Sequence, residues 1–295
     1  MLSSIFKPEY LYRPRQLLTR FARRNSRGFV SVRLPWGKEI RVSADDNVGS
    51  QIVKLGLYDL AVTEALWRLC EPGELALDVG ANIGYTTFVM AERLQTGKIV
   101  AYEPHPIIFK ELTNNVESLV RQGCQTTIET VPKALGPSVC QLPLFVPKDF
   151  QYHRGESSLA APSHLECNDE PHLVDVDTLD SQMAGRASIG VMKIDVEGFE
   201  LDVLSGALKL FDEKRVRDCV FEEHRPFPTP VTEWLRSRGY TVFRIDRQFA
   251  GPRLLPPDSA IPRNHWTATN FLATSDPLRA QQIFASRGWR CLVSK

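Results

Sequence analysis

Asp78, Gly80 and Gly84 stand together within LALDVGANIGYTT, Leu75 to Thr87, and Glu103 closes the next apolar run, KIVAY. Glycine tolerates positive φ and has no Cβ to hold a ligand away, so a glycine turn behind a strand lets a small molecule touch bare backbone. The helical pattern that starts directly after Gly84 predicts N–H groups aimed at the same spot. The spacing Asp78-x-Gly80-x-x-x-Gly84 is not the G-x-G-x-x-G of dinucleotide sites. An acid ahead of the glycines repels a pyrophosphate and suits a ligand with a cationic part, such as an amino acid ammonium. An acid at the end of the second strand accepts hydrogen bonds from ribose hydroxyls. Ammonium and ribose together describe S-adenosyl-L-methionine better than NAD.

A second stretch with chemical content is Ile189 to Asp195, IGVMKID. Its composition is that of a buried parallel strand, yet it carries Lys193 and ends in Asp195. A lysine there must be paired or must reach a crevice. Side chains alternate along a strand, so Lys193 and Asp195 share a face. Glu197 and Gly198 follow in the turn, and the next strand, Arg217 to Phe221, runs into Glu222, Glu223 and His224.

These residues need elements to hold them. Phe29 to Val42 alternates around Pro35-Trp36-Gly37 and reads as a β-hairpin. Asp59 to Leu69 has helical spacing, as do Tyr85 to Leu94 and the set Ile108, Leu112, Val116 and Leu119. Strands are expected at Leu75–Val79, Lys98–Tyr102 and Thr127–Val131, with further ones at Val139–Val146 and Val174–Thr178. Leu201, Leu204, Leu208 and Phe211 predict one helix. Thr229-Pro230 and Asp276-Pro277 open two more, and Tyr240–Ile245 and Asn270–Ala273 are the last strands. Alternation of strand and helix predicts a doubly wound α/β sheet. Asp149 to Asn168 is irregular and long enough to be a substrate-facing loop. The expected organisation is an N-terminal extension over residues 1–57, basic helix then hairpin, ahead of one domain over 58–295.

At 295 residues, with 43% hydrophobic and 24% charged residues, the chain has the makings of a folded domain with a sizeable core. A formal net charge of +1 gives no global pull toward nucleic acid or membrane. Locally, Lys7, Arg13, Arg15, Arg20, Arg23, Arg24 and Arg27 face only Glu9, a pattern that a membrane surface or anionic partner would suit, although the apolar stripe among them is short and a solvated helix packed on the domain is the expectation. Six scattered cysteines without a C-x-x-C pair fit reduced thiols. Met1 to Ile5 is too short for a secretory h-region, and no run reaches the ~20 apolar residues of a membrane span, so a cytoplasmic location is expected.

Taken together, LDVGANIGYTT, VAYEPHP, VDVDTLD and VMKIDVEGFELDVLSGA resemble the FkbM family of S-adenosylmethionine-dependent methyltransferases, over roughly Tyr58 to Thr274. The resemblance implies the class I methyltransferase fold, a Rossmann-like, seven-stranded, mostly parallel sheet whose last strand is antiparallel. It implies methyl transfer, usually to the oxygen of a sugar or natural-product hydroxyl, and S-adenosyl-L-methionine as cofactor. Position by position, Asp78, Gly80, Asn82 and Gly84 match the cofactor loop, and Glu103 with Pro104 matches the ribose side. Ala134 and Leu135 match the segment that flanks the adenine. Tyr58 matches a cofactor-side position ahead of the first strand, followed here by Asp59 where the family often has glutamate. Lys193, Asp195 and Glu197 match the family's most characteristic motif. Asp195 is then the first choice of general base, Glu223 and His224 the alternates, and Lys193 the residue that holds Asp195 or Glu222 in place. No fixed spacing of metal ligands accompanies them. A non-catalytic scaffold that binds cofactor, or nothing, is the rival class, and the presence of Asp78, Glu103 and Asp195 together argues against it. The identity of the acceptor and the oligomeric state are beyond the sequence.

Overall fold

The computed structural model describes residues 7–23, 25–160, 166–168, 172–259 and 269–293. Met1 to Ile5, Arg24 and part of the irregular loop lie outside them. The chain opens with two short helices, α1 (Pro8–Leu11) and α2 (Pro14–Ala22), each with proline in its first turn. The hairpin β1 (Phe29–Arg33) and β2 (Glu39–Ser43) follows. Next comes α3 (Asn47–Leu55), which the sequence reading lacked. It runs from an Asp46 cap, whose carboxylate accepts from the Gly49 N–H at 2.6 Å, to Gly56 at φ 77°. Asp59 caps α4 (Leu60–Leu69).

The first half of the main sheet then alternates as expected: β3 (Leu75–Val79), α5 (Tyr85–Leu94), β4 (Lys98–Tyr102), α6 (Pro106–Arg121) and β5 (Thr127–Val131). An excursion of three short strands, β6 (Ala134–Leu135), β7 (Cys140–Leu144) and β8 (His172–Asp177), forms its own small sheet, and α7 (Leu179–Gln182) follows. The chain continues through β9 (Ile189–Ile194), α8 (Glu200–Ser205), α9 (Leu208–Asp212), β10 (Val216–Glu223), α10 (Pro230–Ser237), β11 (Thr241–Gln248), β12 (Gly251–Leu255), β13 (Thr269–Thr274) and α11 (Pro277–Ala285).

The main sheet has the order β5-β4-β3-β9-β10-β13-β11-β12. Its first five strands are parallel, and β13 runs antiparallel to both β10 and β11. This is the class I methyltransferase topology with one addition. The expectation of seven strands is corrected to eight, because β12 pairs antiparallel with β11 at the edge. Pro252 in β12 has no N–H to give and obscured the strand in the sequence, but proline is acceptable at a sheet edge.

Alternation divides the core. Ile99, Ala101, Val191 and Val220 face one apolar layer with α4, α5 and α6, while Leu77, Val100, Met192 and Phe221 face another with α8, α9 and α10. The single helix expected over Leu201 to Phe211 is two. It breaks at Gly206, where a Cβ would collide with the Gly136 carbonyl oxygen, so the backbones of two distant segments touch there. At the other end, buried Glu64 on α4 accepts from Arg68 and from the N–H groups of Arg290 (2.9 Å) and Cys291 (2.8 Å). Arg68 in turn donates to the carbonyls of Ile283, Ser286 and Gly288. This clamp fastens the C-terminal segment to α4.

Candidate functional site

Outward from β3 the chain winds one way through β4 and β5, and from β9 the other way through β10. A crevice must open where the direction reverses, at the carboxyl ends of β3 and β9. A cavity of about 1300 Å³ lies there. That is larger than a pocket for one small ligand, typically ~300–1,000 Å³, and leaves room for two reactants side by side.

The floor is set by strand register. Asp78 pairs with Lys193 across the β3–β9 ladder, and both side chains are buried. The Lys193 ammonium donates to the Gly80 carbonyl at 2.7 Å and lies 3.4 Å from Asp195 Oδ2 and 3.7 Å from Asp78 Oδ1. Burial works against its charge, but Asp195 and Asp78 outweigh burial and hold its pKa above the usual lysine value. Asp78 also accepts from the hydroxyls of Thr86 (2.8 Å) and Thr87 (2.6 Å) at the start of α5. The turn of β3 and the tip of β9 are therefore joined through one buried cation.

The glycine turn itself is bonded inward. Gly80 and Gly84 have φ of 74° and 91°, and a Cβ on Gly80 would strike the Asp195 carbonyl oxygen, so glycine is required there. The N–H groups do not wait for a ligand. Those of Gly80 and Ala81 donate to the Tyr102 carbonyl, that of Asn82 to Glu103, that of Ile83 to the Asn82 side chain and that of Gly84 to the Ala81 carbonyl. With these five donors spent inside the protein, the turn is no phosphate cradle.

Glu103 accepts from the N–H groups of Asn82 and His105, both at 2.9 Å. Burial raises its pKa to about 7, against the pull of those two N–H groups. Each carboxylate oxygen keeps a second lone pair for a hydroxyl donor. Pro104, Ala134 and Leu135 line the same cavity, the last two as strand β6. Tyr58 lines it too, edge-on to Tyr85 with ring centroids 6.3 Å apart, and burial, helped by Asp195, pushes its hydroxyl pKa up. The carboxylate of Asp59 serves the scaffold: one oxygen caps α4 and the other accepts from Asn270 at 3.0 Å.

Beyond Lys193 the cavity becomes acidic. Asp195, Glu197, Glu222 and His224 all line it. The Glu197 and Glu222 carboxyls are pushed well above the usual carboxylate range, first by burial and then by the negative charge of Asp195. His224 Nε2 is 3.8 Å from Glu197. Glu223 is placed apart from this group. Val220 faces the layer that holds Lys193's end of the sheet, so Glu222 two residues on shares that face and Glu223 takes the opposite one with Phe221. There Glu223 is buried and takes three hydrogen bonds from Arg225, which overcomes burial and keeps the carboxyl below its ordinary range. The parity that linked Lys193 to Asp195 in the sequence would have selected Glu222 had it been carried to the next strand.

Two walls were not anticipated in full. Asn47, Val48 and Gln51 of α3 form one, and Arg244, Asp246 and Arg247 of β11 form part of another. Residues 149–160 supply the roof. Phe150 stacks on His105 with centroids 4.6 Å apart, Arg154 pairs with Glu111, the Ser158 hydroxyl donates to the Glu197 carbonyl at 2.7 Å, and Asn47 donates to Glu156 at 3.3 Å. Among the described residues no three His, Cys, Asp or Glu side chains group so as to hold a metal ion, and no helix is long and apolar enough to cross a membrane.

Comparison with known proteins matches residues 78–242 to the methyltransferase FkbM domain. Two curated relatives are methyltransferase sdnD of Sordaria araneosa, 24% identical over 59% of this chain and 76% of its own, and methyltransferase 1 of Beauveria bassiana (strain ARSEF 2860), 29% identical over 62% of this chain and 76% of its own. Among solved structures, methyltransferase FkbM from Methylobacillus flagellatus KT aligns with a TM-score of 0.43 at 15% identity, over 77% of this chain and 55% of its own. A SAM-dependent O-methyltransferase from Thermotoga maritima aligns with a TM-score of 0.43 at 12% identity, over 86% of this chain and 80% of its own.

Proposed function

The chain belongs to the FkbM family of methyltransferases, and from that premise we propose that it moves a methyl group from S-adenosyl-L-methionine to a hydroxyl oxygen of a sugar or natural-product type small molecule. The observation that carries the reading is Lys193, which lines the cavity with Gly80 and Asp195 and whose ammonium ties both to the buried Asp78 beneath them. The residues fit such a cofactor in charge and in hydrogen-bonding sense. Asp195 gives negative charge for an ammonium and a sulfonium, with buried Asp78 behind it holding Lys193, Glu103 offers acceptors for ribose hydroxyls, and Pro104, Ala134 and Leu135 give an apolar flank for adenine. Gly80, Asn82 and Gly84 shape the turn, and Tyr58 closes the side. When bound, the cofactor supplies an activated methyl group, so the protein has chiefly to align the partners.

The chain's own part is to hold the acceptor oxygen and take its proton. Asp195 is the proposed base, because it lines the cavity with its carboxylate steadied by Lys193. His224, backed by Glu197, is the alternate in reach of the same space. Glu222, rather than Glu223, is the further carboxyl that faces the acceptor. The protein should bind S-adenosylhomocysteine in calorimetry and leave NADH unbound. Asp195→Asn should keep that binding within about threefold while methyl transfer to an acceptor found in a metabolite extract drops ~10²-fold or more. Binding of NADH alone would overturn the cofactor reading, and full turnover in the variant would remove Asp195 from the base role.

A further inference from the structure

Helix α2 faces the wrong way for a helix that only packs on a domain. Its buried residue is Gln16, whose amide donates to the carbonyls of Val53 (3.4 Å) and Lys54 (3.3 Å) at the end of α3. Its outward stripe is Pro14, Leu18, Phe21 and Ala22, the i, i+4, i+7, i+8 pattern that ordinarily turns inward. Leu18 is 71% exposed and Phe21 60%. Leu11 and Tyr12, at the end of α1, are exposed as well.

The charge around this stripe has one sign. Arg15 and Arg27 are exposed and Arg23 is half-buried. Glu9, the sole acid between Lys7 and Arg27, is buried and accepts two hydrogen bonds from Arg247 at 2.8 and 2.9 Å. The segment's own negative charge is thus turned into the protein and neutralised; Arg27 lies 3.6 Å from Asp45 and Arg23 donates to the Ser31 carbonyl, both at the rim of the stripe, and Arg15 stands exposed beside it. A second copy laid on this face would set cation against cation. A bilayer surface with anionic headgroups answers both halves, taking Leu18 and Phe21 into its apolar boundary and the arginines at the phosphate level.

We propose that α1 and α2 form a docking element for an anionic membrane surface. The element is tied to the cleft at two points. Arg247, which holds Glu9, lines the cavity, and α3, which receives Gln16, forms its wall. Docking would therefore bear on the acceptor side of the site without any residue of α2 taking part in the chemistry.

The test is sedimentation of the full chain with phosphatidylcholine vesicles, with and without about 30% phosphatidylserine. The wild type should pellet with the mixed vesicles, stay in solution with the neutral ones, and be released at about 0.5 M salt, where screening shortens the reach of the arginines. The double variant Leu18→Glu, Phe21→Glu, with circular dichroism and melting temperature as for the wild type, should bind mixed vesicles at least about fivefold less. Equal recovery on neutral and mixed vesicles, or recovery unaffected by the two glutamates, would overturn the proposal. So would a wild-type dimer in light scattering that the variant breaks while vesicle binding is absent, since a second copy would then own the face. An inactive but vesicle-binding protein would count against the methyltransferase reading alone.

Discussion

The acids of the cleft are held at a cost that pH can reveal. Glu103 titrates near 7 in the folded chain against 4.5 unfolded, and Glu197 and Glu222 are displaced in the same direction. A carboxyl raised on folding keeps its proton where the unfolded chain has lost it. The stability it contributes is complete below about 4.5 and disappears as pH rises through 7 and beyond. The melting temperature should therefore fall from pH 6 to pH 9, and Glu222→Gln should raise it at pH 9 by about 2–4 °C while changing little at pH 5, as read by scanning calorimetry. Glu103 makes a second prediction. If ribose hydroxyls donate to it, they need the carboxylate, which is the minor form at pH 6 and the major form at pH 8. S-adenosylhomocysteine should bind about tenfold more tightly at pH 8, and Glu103→Gln should lower the affinity and flatten the profile. At this scale the meeting of Asp78, Lys193 and Asp195 was legible in the sequence, because their strand positions require it. Which acid of Glu222 and Glu223 faces the cleft was legible too, once the alternation is carried through β10 past Phe221 to Glu223.

Elements position these residues through contacts far apart in the chain. Asn115 on α6 accepts from the Arg41 N–H at 3.1 Å and donates to the carbonyls of Arg41 (3.0 Å) and Ile83 (2.9 Å). One buried amide thus joins the hairpin, α6 and the glycine turn. Asn115→Ala leaves three backbone groups without this partner and should cost about 2–4 kcal/mol in urea unfolding, with weaker S-adenosylhomocysteine binding although the residue is outside the cavity wall. The period of α6 was readable from Ile108, Leu112, Val116 and Leu119, but a polar residue's partner 74 positions away was not. α3 was legible in principle, bracketed by Asp46 and Gly56. β12 was hidden by its proline, and the split of α8 from α9 was hidden because Leu201 to Phe211 keeps a helical period across the break.

Among the described residues the main sheet lies between two helical layers and is closed at its far end by the clamp of Glu64 and Arg68. Both side chains are fully buried, so removing one strands the other. Glu64→Ala should destabilise the protein by about 3–5 kcal/mol and, by loosening residues 283–291 from α4, should open them to limited proteolysis before the sheet unfolds. The winding of the sheet and the last helix were visible in the sequence, whereas this closure depends on backbone groups of residues 283–291 meeting side chains of α4 more than 200 positions away. A last consequence follows from the backbone touch between Gly206 and Gly136. The outer bend between α8 and α9 leans on the chain directly after Ala134 and Leu135, the wall proposed for the nucleobase. A single methyl group added at Gly206 is therefore a remote lever, one that would press on the berth of the base from behind its wall while every side chain in the cleft stayed the same.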